Sequence, residues 1–229
     1  MDNAVAALEH DRSRLGRSST AERVADILRE RIIEGLFVPG ERLSEEAIGS
    51  ALGVSRNTLR EAFRLLGHER LLDHKLNRGV FVRVLSAADV ADLYRMRRVL
   101  EGAAVRRCAE ASPEALRLIG ETCGGGRTLG LRRQVAGRRY RQQPFSHQAL
   151  VALNQSPRLD ETMRQLLAEL RLVFHAMRNP RSLHEPFVER NRLLLGLLEA
   201  RRAEDAATYL EIYLDDAERL LLQAYEPAG

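Results

Sequence analysis

"SEEAIGSALGVSRNTLREAFRLL", Ser44 to Leu66, holds two short apolar periods with one glycine between them, and the spacing of those periods decides the fold. In the first, Ala47, Ile48, Ala51 and Leu52 share one helical face. Ser44 stands ahead of them as a cap, with Glu45 and Glu46 in the first turn, where the helix dipole favours anions. Gly53 stops this helix, and Ser55 caps the next, whose Leu59, Ala62, Phe63 and Leu66 point inward. Two helices joined by a turn of about three residues containing glycine form a helix-turn-helix.

The flanks extend that unit. Residues 1–18 show no periodicity and are expected to be a flexible arm. From Ser19, the residues Val24, Ile27, Leu28, Ile32 and Ile33 make one stripe that ends at Gly35, the first helix of the unit. Downstream, "LLDHKLNRGVFVRV" reads as a hairpin: Leu71 and Leu72, a polar turn at Asn77, Arg78 and Gly79, then Val80, Phe81 and Val82. Residues 19–84 are therefore expected to form a winged helix-turn-helix of three helices plus a two-stranded β wing.

Beyond Ser86 the pattern is helical throughout. Ser86 caps a long helix containing "DLYRMRRVLEGAAVRRCAE", and further helices start near Pro113, Pro144, Pro157, Ser182 and Ala203. Ser182 with Glu185 makes a capping box, and Ser156–Pro157 puts proline in a first turn. No strand pattern recurs. The fold class is mainly α, with residues 85–229 an all-helical bundle of six or seven helices.

Composition bounds the function. The chain has 229 residues, 45% hydrophobic and 30% charged, which suits one or two packed domains. There is no run of eighteen apolar residues, and "MDNAVAALEHDRSRLGRSST" is too polar for a signal peptide, so a cytoplasmic protein without membrane association is expected. Cys108 and Cys123 read as spectator thiols. The net charge of +4 points to a polyanion partner, although Lys75 is the sole lysine and an arginine skew of this kind follows from GC-rich coding DNA. GxSxG, P-loop, HExxH and Rossmann glycine patterns are all missing, so no enzyme is expected.

One segment departs from this order. Residues 122–146 include "CGGGRTLGLRRQVAGRRYRQQP", with six arginines and no apolar period, and no acidic residue lies between Glu121 and Asp160. Two readings stand: a basic loop able to bind phosphate, or a stretch translated out of frame, since codons for "YRQQPFS" read one base later can spell "TANNRF" and lead into "HQALVAL" as an ordinary helix.

The chemistry concentrates on the second helix of the helix-turn-helix, where Arg56, Asn57, Arg60 and Arg64 lie opposite the apolar stripe. Such a helix fits the major groove of DNA with its N-terminal residues at base edges; arginine pairs with guanine and asparagine with adenine. Lys75, Asn77 and Arg78 of the wing reach the flanking backbone or minor groove. Residues 55–83 carry seven Lys and Arg against three Asp and Glu, whereas residues 1–54 carry seven against ten, so positive charge gathers where contact is expected. The bland alternative is that these arginines only solvate a surface helix.

"PGERLSEEAIGSALGVSRNTLREAFRLL" followed by "NRGVFV" resembles the GntR family of bacterial transcription regulators, and "DLYRMRRVLEGAAVRRCAE" resembles the first helix of the fatty-acid-regulator-type (FadR-type) effector domain, abbreviated FCD. The likeness covers roughly residues 20–112 and 147–225. It implies a homodimer reading a palindromic operator in double-stranded DNA, with a small organic acid or similar metabolite bound in the helical bundle. It also implies DNA contacts at Ser55, Arg56, Asn57, Thr58, Arg60 and the wing around Arg78 and Gly79.

Many such effector domains hold a divalent metal with an aspartate, a histidine four residues on, and two later histidines. In this chain those positions fall on Gln143, His147, Asn191 and Tyr213, a set that keeps one ligand of four. No metal and no cofactor are expected. The resemblance instead implies a polar pocket in which His147, Asn191 and Tyr213, with Arg97 and Tyr94, bind the effector; Arg97 and Glu101, four apart, equally suit an internal ion pair. The expected function is a metabolite-controlled, sequence-specific transcription regulator, with repression the expected mode. A non-specific or architectural DNA-binding protein and a metal-dependent sensor with a degenerate site are the alternatives.

Overall fold

The computed structural model describes residues 19–121, 146–176 and 181–224. The expectations for residues 1–18, for the basic segment, for Cys123, Pro144 and Gln143, and for the capping side chains of Ser182 and Glu185 lie outside them. The chain divides into two compact units: residues 19–85 with 168–176, and the other described residues.

In the first unit, α1 (Thr20–Ile33), α2 (Glu45–Leu52) and α3 (Arg56–His68) surround a core that the apolar stripes anticipate. Val24, Leu28 and Ile32 of α1 and Leu59, Phe63 and Leu66 of α3 are fully buried, as are Phe37 and Leu52. Each such side chain contributes about 1.5–3 kcal/mol relative to exposure. Ser44 caps α2 by accepting from Ala47 N–H at 3.2 Å. Gly53 ends it in the left-handed region (φ 65°), where its N–H donates to Ser50 O and the Val54 N–H to Gly49 O. This Schellman closure needs a residue without Cβ strain and turns the chain directly into Ser55. Arg29 of α1 holds the end of α3 through a two-pronged pair with Glu69, Nη2 to Oε1 at 2.6 Å. His175, in the 168–176 segment, donates its Nε2–H to the Ile33 carbonyl at 2.7 Å, a structural histidine.

The wing is three-stranded rather than two-stranded. Between β2 (Leu72–Lys75) and β3 (Gly79–Val82) the chain reverses with Arg78 N–H donating to Lys75 O and Asn77 at φ 58°. The strands pair antiparallel with Leu72 opposite Val82 and Lys75 opposite Gly79. β1 (Arg42–Leu43) adds to the far edge of β3, with Arg42 opposite Phe81 and Leu43 opposite Val80, so the order is β1-β3-β2. Two residues are too few to show an alternating pattern, which is why β1 leaves no trace in the sequence.

The second unit is built from α4 (Ala87–Arg106), α5 (Pro113–Glu121), α6 (His147–Val151), α7 (Pro157–Ala176, up to residue 167), α8 (Arg181–Glu199) and α9 (Ala203–Ala224), with 3₁₀ turns at Arg107–Glu110 and Ala152–Asn154. Among the described residues these six helices agree with the expected all-helical bundle. Ser86 starts α4 with a complete capping box: Asp89 N–H donates to Ser86 Oγ, and Ser86 N–H to the Asp89 carboxylate. α4 packs along α9, burying Val90, Leu93, Tyr94, Arg97, Leu100, Glu101, Ala104 and Val105. That face carries two charged residues into the interior, and they organise the polar centre of the bundle.

Candidate nucleic-acid interface and a buried polar cluster

α3 presents a wet face and a positive end. Ser55 caps it, accepting from Thr58 N–H at 3.2 Å while its hydroxyl meets Thr58 Oγ1 at 2.8 Å. The unsatisfied N–H groups and the dipole at such an end favour anions. Arg56 and Asn57 are exposed there and make no side-chain hydrogen bond among the described residues, which leaves their donors and acceptors open. Arg60 and Arg64 are differently placed. Arg60 Nε donates to Glu45 Oε2 of α2 at 3.0 Å, and Arg64 grips Glu61 (2.6 Å) and meets His68. Both pairs are well exposed, and exposed pairs contribute only about 0–1 kcal/mol, so either arginine exchanges its carboxylate for a phosphate at little cost.

On the wing, Asn77, Arg78 and Gly79 are exposed at the turn, and Lys75 Nζ lies 4.8 Å from the Phe81 ring centroid, which holds its stem against the sheet. Arg42 adds an exposed cation that the sequence reading missed. Its guanidinium approaches Gly79 so closely that a Cβ there would meet Arg42 Nε at 3.2 Å. The register of β1 on β3 puts it there, and with β1 unrecognised no signal pointed to it.

In the second unit, Arg97, Glu101, His147, Tyr213 and Tyr94 come together. Arg97 Nε donates to Glu101 Oε1 at 2.7 Å with both side chains almost fully buried, so the internal ion pair is present. His147 Nδ1 lies 2.7 Å from Glu101 Oε2. Burial alone would raise the Glu101 pKa, but the Arg97 charge and the hydrogen bonds from His147 and Arg97 hold it down at about 2. Glu101 is thus a carboxylate, and the Nδ1 atom of His147 carries the proton it donates. Arg97 Nη2 stands 3.2 and 3.3 Å from the two ring nitrogens of His147. Near-equal distances place it against the ring rather than in line with either lone pair, so the contact is one of charge with a polarisable ring. The other side of the guanidinium meets the Tyr94 ring, 4.9 Å from Cζ to centroid.

Tyr213 OH reaches His147 Nε2 at 3.4 Å, a weak bond, and the Phe187 ring of α8 packs edge-on against Tyr213 at 5.0 Å. Burial raises the Tyr213 and Tyr94 phenols above their ordinary range, so both stay neutral. Asn191 lies one helical turn beyond Phe187; its Oδ1 is buried without a hydrogen-bond partner among the described residues, and it makes no hydrogen bond to this group. Of the expected pocket residues, Tyr94, Arg97, His147 and Tyr213 are brought together, and Asn191 is not joined to them. Glu101, which bonds both Arg97 and His147, is the residue the expectation undervalued. Its link to a histidine 46 positions away leaves no local signal.

A divalent metal does not fit these residues. His147 Nδ1 is committed to Glu101, Nε2 faces a neutral phenol, and the two other expected positions, Gln143 and Asn191, carry amides. An ion bound at Nε2 would sit about 4 Å from the Arg97 guanidinium, a repulsion of about 8 kcal/mol at an effective dielectric of 20. Among the described residues, no group of three or more His, Cys, Asp or Glu side chains is gathered to hold a metal. None of their helices is long and apolar enough to cross a membrane.

Comparison with known proteins covers both units. Residues 20–82 match the family model described as bacterial regulatory proteins, gntR family, and residues 92–216 match the FCD domain. The Nta operon transcriptional regulator of Aminobacter aminovorans is 31% identical over 176 residues, 76% of this chain and 81% of that protein. The gluconate operon transcriptional repressor of Bacillus licheniformis is 37% identical over 103 residues, with 42% of its own length covered. Among solved structures, a transcriptional regulator GntR from Rhodococcus sp. RHA1 superposes with a TM-score of 0.73 at 41% identity, over 91% of this chain and all of that one.

Proposed function

Because this chain belongs to the GntR family of bacterial transcriptional regulators with an FCD domain, a family of regulators and not of enzymes, we propose that it binds a palindromic operator in double-stranded DNA as a homodimer. The observation that carries this reading is the pair of free side chains, Arg56 and Asn57, on the positive end of α3 within the gntR match. In the major groove, arginine donates to guanine O6 and N7 while asparagine pairs with adenine N6 and N7. Ser55, Thr58, Arg60 and Arg64 contact the phosphates that set the register, and Lys75, Asn77, Arg78 and Gly79 of the wing track the flanking backbone, with Arg42 beside them.

The mode is repression, which the names of several relatives favour, among them the gluconate operon and D-xylose utilization operon repressors. A small organic acid enters the bundle at Arg97, His147, Tyr213, Tyr94 and Asn191 and alters operator affinity. Such coupling requires that the acid bind the two states of the dimer unequally. The buried Arg97 guanidinium, beside the His147 ring and the Tyr213 hydroxyl, supports that assignment.

The test is selection from a pool of random duplexes by the purified full-length protein. The expected outcome is a single enriched palindrome with half-sites about one helical turn apart. Recovery of unenriched sequence would instead make it a non-specific DNA-binding protein.

A further inference from the structure

Leu76 stands at the tip of the wing, in the second position of the turn that Arg78 N–H closes on Lys75 O, with Asn77 third at φ 58°. Its side chain is 90% exposed, more than any other large apolar residue described; Val99 follows at 71%. A single exposed leucine is ordinary on a protein surface, so exposure alone decides nothing. Its surroundings set this one apart. The strand register puts Arg42, Phe81, Asp73, Gly79 and Lys75 on the outer face of the sheet and turns Leu43, Val80, Val82 and Leu72 to the core. On that outer face Arg42 lies against Gly79 and Lys75 over the Phe81 ring, while Arg78 is exposed on the turn itself. Among the described residues none of these three cations is paired with a carboxylate, and Asp73 is the one acidic side chain of that face.

An apolar point set among cations suits a narrow slot with anionic rims and apolar sides. The minor groove of DNA is such a slot, roughly 6 Å wide, bounded by phosphates and walled by deoxyribose. A membrane surface would offer the charge, but one leucine supplies too little apolar area to hold there. We propose that Leu76 enters the minor groove beside each half-site, with Lys75, Arg78 and Arg42 toward the phosphate rims, and that it selects base pairs whose groove floor is open. The inference rests on the operator reading above. On a G·C pair the guanine 2-amino group rises from the floor, whereas A·T and inosine·C pairs leave it bare. Covering a leucine side chain is worth roughly tenfold to a hundredfold in affinity, so an obstruction beneath it is measurable.

The experiment uses the full-length protein and the operator selected from random duplexes, with the pairs flanking each half-site made either G·C or inosine·C. The two flanks look alike from the major groove, where inosine keeps the O6 and N7 of guanine, so contacts of α3 are unaltered. The wild type is expected to bind the inosine flank about fivefold or more tightly than the guanine flank. Leu76→Ser, at a site too exposed to affect folding, is expected to bind the two within about twofold while still preferring the operator to a scrambled duplex. Leu76→Met, apolar and similar in volume, is expected to keep the difference. Equal affinity of the wild type for the two flanks, or a Leu76→Ser protein that still separates them, would overturn the proposal and leave a protein partner as what covers the leucine. A wild type that binds operator and scrambled duplex alike would sink the operator reading instead. The guanine and inosine comparison is then made on the scrambled duplex, where the same two outcomes decide for or against Leu76.

Discussion

Arg97 and Glu101 show how one residue's state depends on its neighbours. An unpaired buried carboxylate is protonated; this one is held ionised at about pKa 2 by a guanidinium and an imidazole, against the opposing effect of burial. In the unfolded chain the same group titrates near 4.5, so its contribution is complete above that pH and is lost as the pH falls toward 2. The difference corresponds to about 3 kcal/mol. Glu101→Gln is therefore expected to lower stability at pH 7 by roughly 3–5 kcal/mol, because it leaves Arg97 buried and unpaired. Denaturant titrations of both proteins between pH 7 and pH 3 are expected to show the gap shrinking below about pH 4.5. A constant gap across that range would mean that Glu101 is not ionised in the fold.

At the scale of the element, Ser55 serves two purposes on α3 that substitution can separate. As a cap it satisfies Thr58 N–H, and its loss in Ser55→Ala costs about 1 kcal/mol, or about 2–4 °C in Tm. Ser55→Asp keeps the cap and sets a carboxylate at the positive end of the helix, so its Tm is expected to match wild type. Its DNA affinity is expected to fall well below wild type in mobility-shift titrations, since that carboxylate would face phosphate. If Ser55→Asp binds DNA as tightly as wild type, the N-terminus of α3 does not approach the duplex. The helices themselves were legible: the buried positions of α3, Leu59, Ala62, Phe63 and Leu66, follow from its period, and Ser44, Gly53, Ser55 and Ser86 mark their ends as local chemistry requires. β1 was not legible, since its two residues are defined by pairing with a strand some forty positions later.

Across the whole molecule, sequence periodicity gives the organisation into a winged helix-turn-helix and a helical bundle. It could not give the polar centre, whose members come from α4, α6 and α9 and meet only through tertiary packing. The spacing of Arg97 and Glu101 announced an ion pair, but the capture of His147 by that pair depends on where α6 lies. Likewise the exposed arginines of α3 look equivalent in the sequence, yet Arg60 and Arg64 are engaged by Glu45 and Glu61 while Arg56 is open. The regulator reading rests on that open face of α3.

Its most direct test is the affinity of the wild-type protein and of Arg56→Ala for the selected operator and for a scrambled duplex of the same length and composition, measured at one physiological salt concentration. The wild type is expected to favour the operator by about a thousandfold or more, and Arg56→Ala, still folded, to lose about 1–3 kcal/mol of that preference while its affinity for the scrambled duplex changes little. Equal binding of the two duplexes by the wild type, or an undiminished preference in Arg56→Ala, would contradict sequence readout by α3.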